Sequence, residues 1–421
     1  MKKCFLTKGR PQTRMLGRTG LAVSCVGIGV LPMGPGQLDL PLDEGASVIC
    51  DALRRGINFI DTAQYYRTYP YIRRALEVMH LVTEENPCGA DNLSTEENPC
   101  GAVASVSSEN LCGADAPVSS ENLCGADNLS AEENSCGAAS PAMRGKMDAS
   151  ARDDSEIEFC PQVACDDRPH RSDMLRPVIS SKSLASSYDD MMAAIEECRS
   201  ALGLKTIDIF LMHEVRTGQF SARAGAWQAL QDAKRAGLVH AIGISTHHAD
   251  VARAMADVAA CDVVFALLNY RGMGIRCGQE AGTKEEMVAA LTVCKASGKG
   301  IYLMKVLGGG NLTGDYQKAL DYVFAQDFMD AVMVGFTNTS EIDDMMCYLS
   351  GTMESSYNPD VSRKKMYVNQ EDCEGCGACL KICAAGAVHY NKNGLAEIDQ
   401  SKCLTCGYCA QGCPVRAIIM Y

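Results

Sequence analysis

Two hydrophobic rhythms alternate along most of this chain. Short apolar runs, bounded by glycine or by polar residues, are followed by longer stretches in which apolar residues recur every three or four positions. The first rhythm predicts buried strands and the second predicts amphipathic helices. Strands are expected at 26–30, 57–61, 176–182, 207–213, 241–245, 263–268, 301–305 and 331–335. Helices are expected at 43–55, 71–80, 188–202, 227–236, 251–259, 284–296, 316–325 and 341–349. Asp43 is placed to cap the first helix and Gly56 to stop it. Ahead of them, Gly17 and Gly20 bracket a turn in a hairpin that leads into the first strand.

Strand and helix in strict alternation imply a parallel sheet with crossover helices. The pattern is broken once. Residues 81–173 lose both rhythms, and from 82 to 140 they hold no aromatic residue. Cys88, Cys100, Cys112, Cys124 and Cys136 recur there at a twelve-residue period. The repeated unit resembles Ser-x-Glu-Asn-x-Cys-Gly-Ala and has too little apolar surface to offset the entropy of ordering, so disorder is expected. Without these 93 residues, 14–350 amounts to 244, the usual size of a (β/α)8 barrel. The fold class expected is α/β, a TIM barrel with a long low-complexity insertion. It is followed by a linker at 353–365 and a small α+β domain at 366–421, with the barrel domain spanning 1–352.

Charge changes the picture less than its total suggests. The net charge is −13, but 81–173 hold 19 acidic and 5 basic residues, leaving 33 acidic against 34 basic elsewhere. The acidity belongs to the insertion. No basic patch interleaved with aromatics suggests nucleic acid. No apolar run approaches ~18 residues and no hydrophobic leader follows Met1, so neither a membrane span nor export is expected, and the cytoplasm is the default compartment.

Chemistry concentrates at the C-terminal ends of the predicted strands, the edge where a (β/α)8 barrel places its reactive groups. Asp61 ends the second strand and Tyr66 follows it. Lys182 ends the third and His213 the fourth. Asp61-Thr-Ala-Gln-Tyr-Tyr66 resembles the Asp-Thr-Ala-x-x-Tyr signature of the aldo/keto reductases, and Leu16-Gly-Arg-Thr-Gly-Leu21 is similar to their opening. The resemblance implies a catalytic tetrad of Asp61, Tyr66, Lys182 and His213. Tyr66 would supply a proton to a carbonyl oxygen, with its pKa lowered by Lys182. Asp61 would hold Lys182, and His213 would aim the substrate. A small carbonyl or alcohol substrate follows. The chain departs from the family after Tyr66, where Arg67-Thr-Tyr-Pro stands in place of the usual Gly and later Ser-Glu.

There is no complete Gly-x-Gly-x-x-Gly fingerprint, so the NAD(P)H that the resemblance implies would be held by barrel loops. Candidates by resemblance are Ser245, Thr246 and Asn269, then Lys305 with Gly308, Gly309 and Gly310, read as a diphosphate loop. Gly335, Thr337, Asn338 and Glu341 form the adenosine-side loop. With no Arg or Lys in 335–345, the sequence does not favour NADPH over NADH.

Eight of the 23 cysteines form two runs near the C-terminus, Cys373-x2-Cys376-x2-Cys379-x3-Cys383 and Cys403-x2-Cys406-x2-Cys409-x3-Cys413-Pro414. Three thiolates from one tight loop suit an iron–sulfur cluster, and in two-cluster ferredoxins the fourth cysteine of each run serves the other cluster. The expected ligand sets for two [4Fe–4S] clusters are Cys373, Cys376, Cys379, Cys413 and Cys403, Cys406, Cys409, Cys383. A redox protein partner is then expected. Direct exchange between a hydride carrier and one-electron clusters needs a converter, which flavins usually provide. No recognisable flavin motif is present, although the barrel could hold one without a motif. The rival reading is an iron–sulfur electron-transfer protein whose barrel docks a redox partner or a flavin and does not reduce carbonyls.

Overall fold

Eight parallel strands close into a barrel in simple sequential order. They are β1 (Val26–Gly29), β2 (Phe59–Asp61), β3 (Val178–Ser183), β4 (Ile207–Met212), β5 (Val239–Thr246), β6 (Val263–Leu267), β7 (Gly300–Met304) and β8 (Ala331–Gly335). Each is followed by a helix: α1 (Leu42–Arg54), α2 (Tyr69–Val78), α3 (Tyr188–Leu202), α4 (Ala224–Arg235), α5 (Ala249–Ala254), α6 (Lys284–Ala296), α7 (Tyr316–Phe324) and α8 (Thr339–Ser350). This computed structural model describes residues 5–81, 175–360, 364–383, 385–403, 407–415 and 417–420. The expectation of disorder for the insertion, and the ligand role of Cys406, fall outside those residues.

The strands read as apolar runs because both their faces are covered. One face packs on the helices, where Ile49, Ile72, Ile195, Leu230, Leu291, Leu320 and Ile342 are buried. The other fills the barrel with Phe59, Ile209, Leu211, Phe265, Tyr302 and Met333. Leu16, Leu21 and Val23 of the N-terminal hairpin join this inner cluster and plug the end opposite the strand termini. Gly17 lets the hairpin seat there: it takes φ +54°, and a Cβ would lie 2.2 Å from the nitrogen of Gly300 at the start of β7. Helix starts are mixed. Thr283 and Glu286 form a reciprocal capping box on α6, and Ser187 caps α3. Asp43 does not cap α1, which begins at Leu42 after Pro41. Asp43 sits in the first turn instead and pairs with Arg74 of α2. α2 begins at Tyr69 rather than 71, because Pro70 is favourable at a helix start.

The C-terminal domain has an approximate internal duplication. β9 (Met366–Val368) pairs antiparallel with β12 (Ile418–Met420), and β10 (Val388–Tyr390) pairs with β11 (Ala396–Ile398). Short helices α9 (Ala378–Ile382) and α10 (Tyr408–Gln411) follow the cysteine loops. Barrel and C-terminal domain belong to one compact unit. Among the described residues no helix is long and apolar enough to cross a membrane.

Candidate active site and iron–sulfur centre

The ends of β2, β3 and β4 bring the predicted tetrad together. Parallel pairing sets Asp61 opposite Ser180, two residues before Lys182 on β3. The Lys182 ammonium donates to Asp61 Oδ2 at 2.7 Å and to the Thr62 carbonyl at 2.6 Å. It lies 4.9 Å from the centroid of the Tyr66 ring and 5.2 Å from that of Phe265. Both members of the ion pair are almost wholly buried. Burial alone would push Asp61 up and Lys182 down, and each charge opposes the shift of the other. Phe265 stacks on Tyr302 at 4.2 Å, and the Tyr302 hydroxyl meets Ser180 Oγ at 2.8 Å, forming the floor under the lysine.

Tyr66 closes a single 3₁₀ turn, Gln64–Tyr66. The turn is fixed at both ends: Ser183 Oγ donates to Gln64 Oε1 at 2.6 Å, and Arg67 takes the left-handed conformation, φ +56°. His213 stands edge-on to Tyr66, 5.8 Å between ring centroids. Its backbone is held by Arg223, a buried arginine that donates to the carbonyls of His213, Ser183 and Ala185 and so ties β3 to β4. The His213 Nδ1 is buried and has no hydrogen-bond partner. Burial and the charge of Lys182 hold the imidazole well below its ordinary pKa, so it is neutral. Tyr66 differs from expectation. Burial, followed by the charge of Asp61, raises its pKa well above the usual value, and Lys182 does not reverse this. The side chain is a neutral phenol, the form that can give up a proton.

Two residues that the sequence reading did not single out border this group. Tyr65 stacks on His213 at 5.2 Å and contacts Tyr66 edge-on at 4.6 Å, and burial, with the nearby charges of Glu371 and Asp372 of the C-terminal domain, holds its phenol far above the usual pKa. Glu214, in the left-handed conformation after His213, hydrogen-bonds Asp372. Tyr65 could have been noticed, since it lies inside the signature. Glu214 gave no signal, because its partner is far away in the chain. Glu214, His247 and Asp372 line a cleft of about 220 Å³ and bring ligand atoms within 4.8 Å of one another. Lys305 already pairs with Asp372, and Glu214 keeps its proton, so the group holds no excess negative charge to attract a metal ion.

The residues expected to hold a dinucleotide are placed around the same mouth, but their hydrogen-bonding groups are engaged. Ser245 Oγ accepts from the Glu214 amide, and Thr246 Oγ1 donates to the Val215 carbonyl. The Asn269 side chain closes its own turn onto Met273. Lys305 pairs with Asp372 at 2.9 Å. Gly308, Gly309 and Gly310 are all left-handed, and the last two lie against Ile419 and Met420 of β12. After Gly335, the Thr337 amide and hydroxyl both donate to Glu341 Oε2, at 2.7 and 2.9 Å, and Asn338 caps α8. In this arrangement β12 covers the glycine loop and Asp372 holds Lys305, so the face that a dinucleotide's diphosphate would need is taken.

The cysteine loops do fit iron–sulfur clusters. The thiols that bear electrostatically on Cys379 are Cys413, Cys373 and Cys376, the first expected ligand set. Backbone amides of Ala396, Ala387 and Ala417 donate to the sulfurs of Cys373, Cys383 and Cys413 at 3.3–3.4 Å. Such donors stabilise thiolate ligands. Clusters held there would supply one-electron transfer.

Comparisons with known proteins agree with this division. Residues 175–323 match the model of the aldo/keto reductase family, and residues 365–414 match the 4Fe-4S dicluster domain. The first match contains Lys182 and His213 but begins after Asp61 and Tyr66, beyond the insertion. Among curated proteins, a component of the ion-translocating oxidoreductase complex of Methanosarcina acetivorans is 52% identical over 46 residues, 11% of this chain and 17% of that protein. L-galactose dehydrogenase of Arabidopsis thaliana is 44% identical over 55 residues, 13% of this chain and 17% of that protein. The chain spans only about a fifth of the length of the curated relatives it matches. A solved aldo-keto reductase from Bacillus halodurans superposes with TM-score 0.48 at 12% identity, covering 84% of this chain and 93% of its own. This chain carries an aldo/keto reductase family domain in a (β/α)8 barrel and, after it, a 4Fe-4S dicluster domain.

Proposed function

We propose that the protein is an oxidoreductase that interconverts a small carbonyl compound and its alcohol at the tetrad, and exchanges single electrons with a redox partner through its iron–sulfur domain. The observation that supports this most is the convergence of Tyr66, Lys182, Asp61 and His213 at three successive strand ends, with the buried Lys182–Asp61 pair at 2.7 Å. A carbonyl oxygen placed between Tyr66 and His213 would accept hydrogen bonds from the phenol and from a neutral imidazole N–H. When a two-electron donor of the nicotinamide class delivers hydride to the carbonyl carbon, the oxygen would take the phenolic proton. The phenolate left behind would face the Lys182 ammonium, which Asp61 and the Thr62 carbonyl hold in position. In the alcohol direction the same groups would act in reverse.

The test is Tyr66→Phe on cluster-loaded protein, against a substrate found by screening carbonyl compounds. Turnover should fall about 10²–10⁴-fold, the usual worth of a positioned acid, while folding and cluster absorbance stay unchanged. Wild-type turnover in the variant would refute the assignment. One observation favours the rival reading, an electron-transfer protein whose barrel serves as a dock: the glycine loop after β7 is covered by the C-terminal strand. Failure of every carbonyl and alcohol tried, with cluster reduction intact, would support that reading instead.

A further inference from the structure

The contacts between the two domains fall on the residues that the barrel would need for a dinucleotide. Met420 donates its amide to the Gly309 carbonyl at 2.6 Å. Asn311, next to the glycines, donates to the Ile418 carbonyl at 3.0 Å. A Cβ on Gly310 would lie 2.2 Å from the Met420 carbonyl oxygen, and one on Gly309 would lie 2.5 Å from Ile419. β12 is therefore seated at backbone distance, where nothing larger than hydrogen fits between. Three glycines in the left-handed conformation allow this approach, as they would allow approach to a diphosphate. They cannot serve both at once.

The charges repeat the pattern. Lys305, the cation beside the glycine loop, meets the Asp372 carboxylate. Arg216 donates to the Glu371 carbonyl and faces Glu374. On the adenosine side, the Thr337 amide is filled by Glu341, whose other oxygen pairs with Lys364 at the entry to the C-terminal domain. Lys305, Arg216 and Thr337 each hold a carboxylate of this chain, and the first two hold the acidic segment around Cys373. A diphosphate brought beside Asp372 and the carboxylates of Glu371 and Glu374 would meet like charge in a half-buried cleft.

We propose that the dinucleotide cleft of this barrel is the docking surface of the chain's own iron–sulfur domain, so that the seated domain and a nicotinamide dinucleotide exclude one another. The docked domain brings the loop carrying Cys373 beside the tetrad, where Glu371 bears electrostatically on Tyr65. Nucleotide binding requires that loop and β12 to leave.

The experiment uses anaerobic, cluster-loaded, full-length protein titrated with NADH and with NADPH, with amide hydrogen exchange followed in 307–312 and 417–420. Glu374→Arg, which repels Arg216 across the interface and leaves the barrel unchanged, and Asn311→Ala, which removes a contact to β12, serve as loosened forms. Their cluster absorbance reports integrity. Without nucleotide, the Met420 amide should be protected in wild type and should exchange faster in the variants. Each variant should bind nucleotide at least about tenfold more tightly than wild type, because the competing docked state is depopulated. Any nucleotide that binds wild type should deprotect 417–420. The proposal is overturned by nucleotide binding that leaves the Met420 amide protected, by equal affinity in wild type and variants, by an unprotected Met420 amide in free wild type, or by no nucleotide binding in any form. None of these readouts requires turnover, so a failed tetrad assignment would be distinguished from a failed docking assignment.

Discussion

Two sides of one barrel mouth carry family-like residues and have opposite fates. At the ends of β2–β4, Asp61, Lys182, Tyr66 and His213 point at one another, and the buried His213 Nδ1 is left without a partner. At the ends of β7 and β8, Lys305, the three glycines and Thr337 satisfy themselves within the chain. A residue of the right type in the right place makes a site only if its hydrogen-bonding capacity is left unspent. By that measure the tetrad is ready for a ligand, while the glycine loop already holds strand β12 of the C-terminal domain.

The comparison breaks most readily at the tetrad. Lys182→Met removes the cation opposite Tyr66 and should lower carbonyl–alcohol turnover by about 10²-fold or more. It also leaves Asp61 buried and unpaired, which should cost about 3–5 kcal/mol in urea unfolding. Asp61→Asn/Lys182→Met should recover most of that stability and none of the turnover. A single variant as stable as wild type would mean that the pair is not an ion pair. Next in size is the electron path. NADH or NADPH alone should not bleach the clusters of flavin-free protein on a turnover timescale, whereas dithionite should. Rapid bleaching by nucleotide would place a hydride-to-cluster route where the occupied cleft provides none.

A smaller effect sharpens the domain interface. Glu214 holds its proton up to about pH 9, because burial and the hydrogen bond to Asp372 both favour the neutral acid. Well below pH 4.5 the acid is protonated in folded and unfolded chains alike, and its contribution is complete. As pH rises toward 9 the unfolded chain loses the proton first, so that contribution shrinks. Glu214→Gln keeps a donor to Asp372 at every pH. The stability of wild type relative to this variant should therefore fall steadily between about pH 5 and pH 9 in denaturant titrations. A flat difference would mean that Glu214 is ionised throughout.

Much of this molecule was legible in the sequence. The strand–helix alternation survives because every strand is covered on both faces, so apolar runs such as 207–212 cannot be mistaken for surface segments. The meeting of Asp61, Tyr66, Lys182 and His213 was legible because a strand's C-terminal end is a fixed address in a barrel. The nearness of Cys373, Cys376 and Cys413 to Cys379 was legible because Cys-x2-Cys-x2-Cys constrains geometry locally. Helix starts were less so: an acidic residue near a start reads as a cap, but Pro41 and Pro70 decided where α1 and α2 begin. Domain docking was not legible at all. Lys305 and Asp372 are 67 residues apart, and no periodicity links them. The glycine loop reads the same whether a diphosphate or a β-strand lies against it, since both demand close backbone approach. The acid-strength of Tyr66 was misjudged for a related reason. Spacing placed a lysine nearby, but only the burial around the phenol shows that desolvation outweighs that charge.

The central claim is that the barrel keeps its proton chemistry but gives its dinucleotide cleft to its own iron–sulfur domain. A crystal structure of the anaerobic, cluster-loaded protein grown with saturating NADPH tests it most directly. The account predicts one of two states in each molecule: Met420 hydrogen-bonded to Gly309 with no nucleotide on the glycine loop, or nucleotide on that loop with 418–420 displaced. A molecule holding NADPH on Gly308–Gly310 while the Met420–Gly309 hydrogen bond remains intact would contradict it.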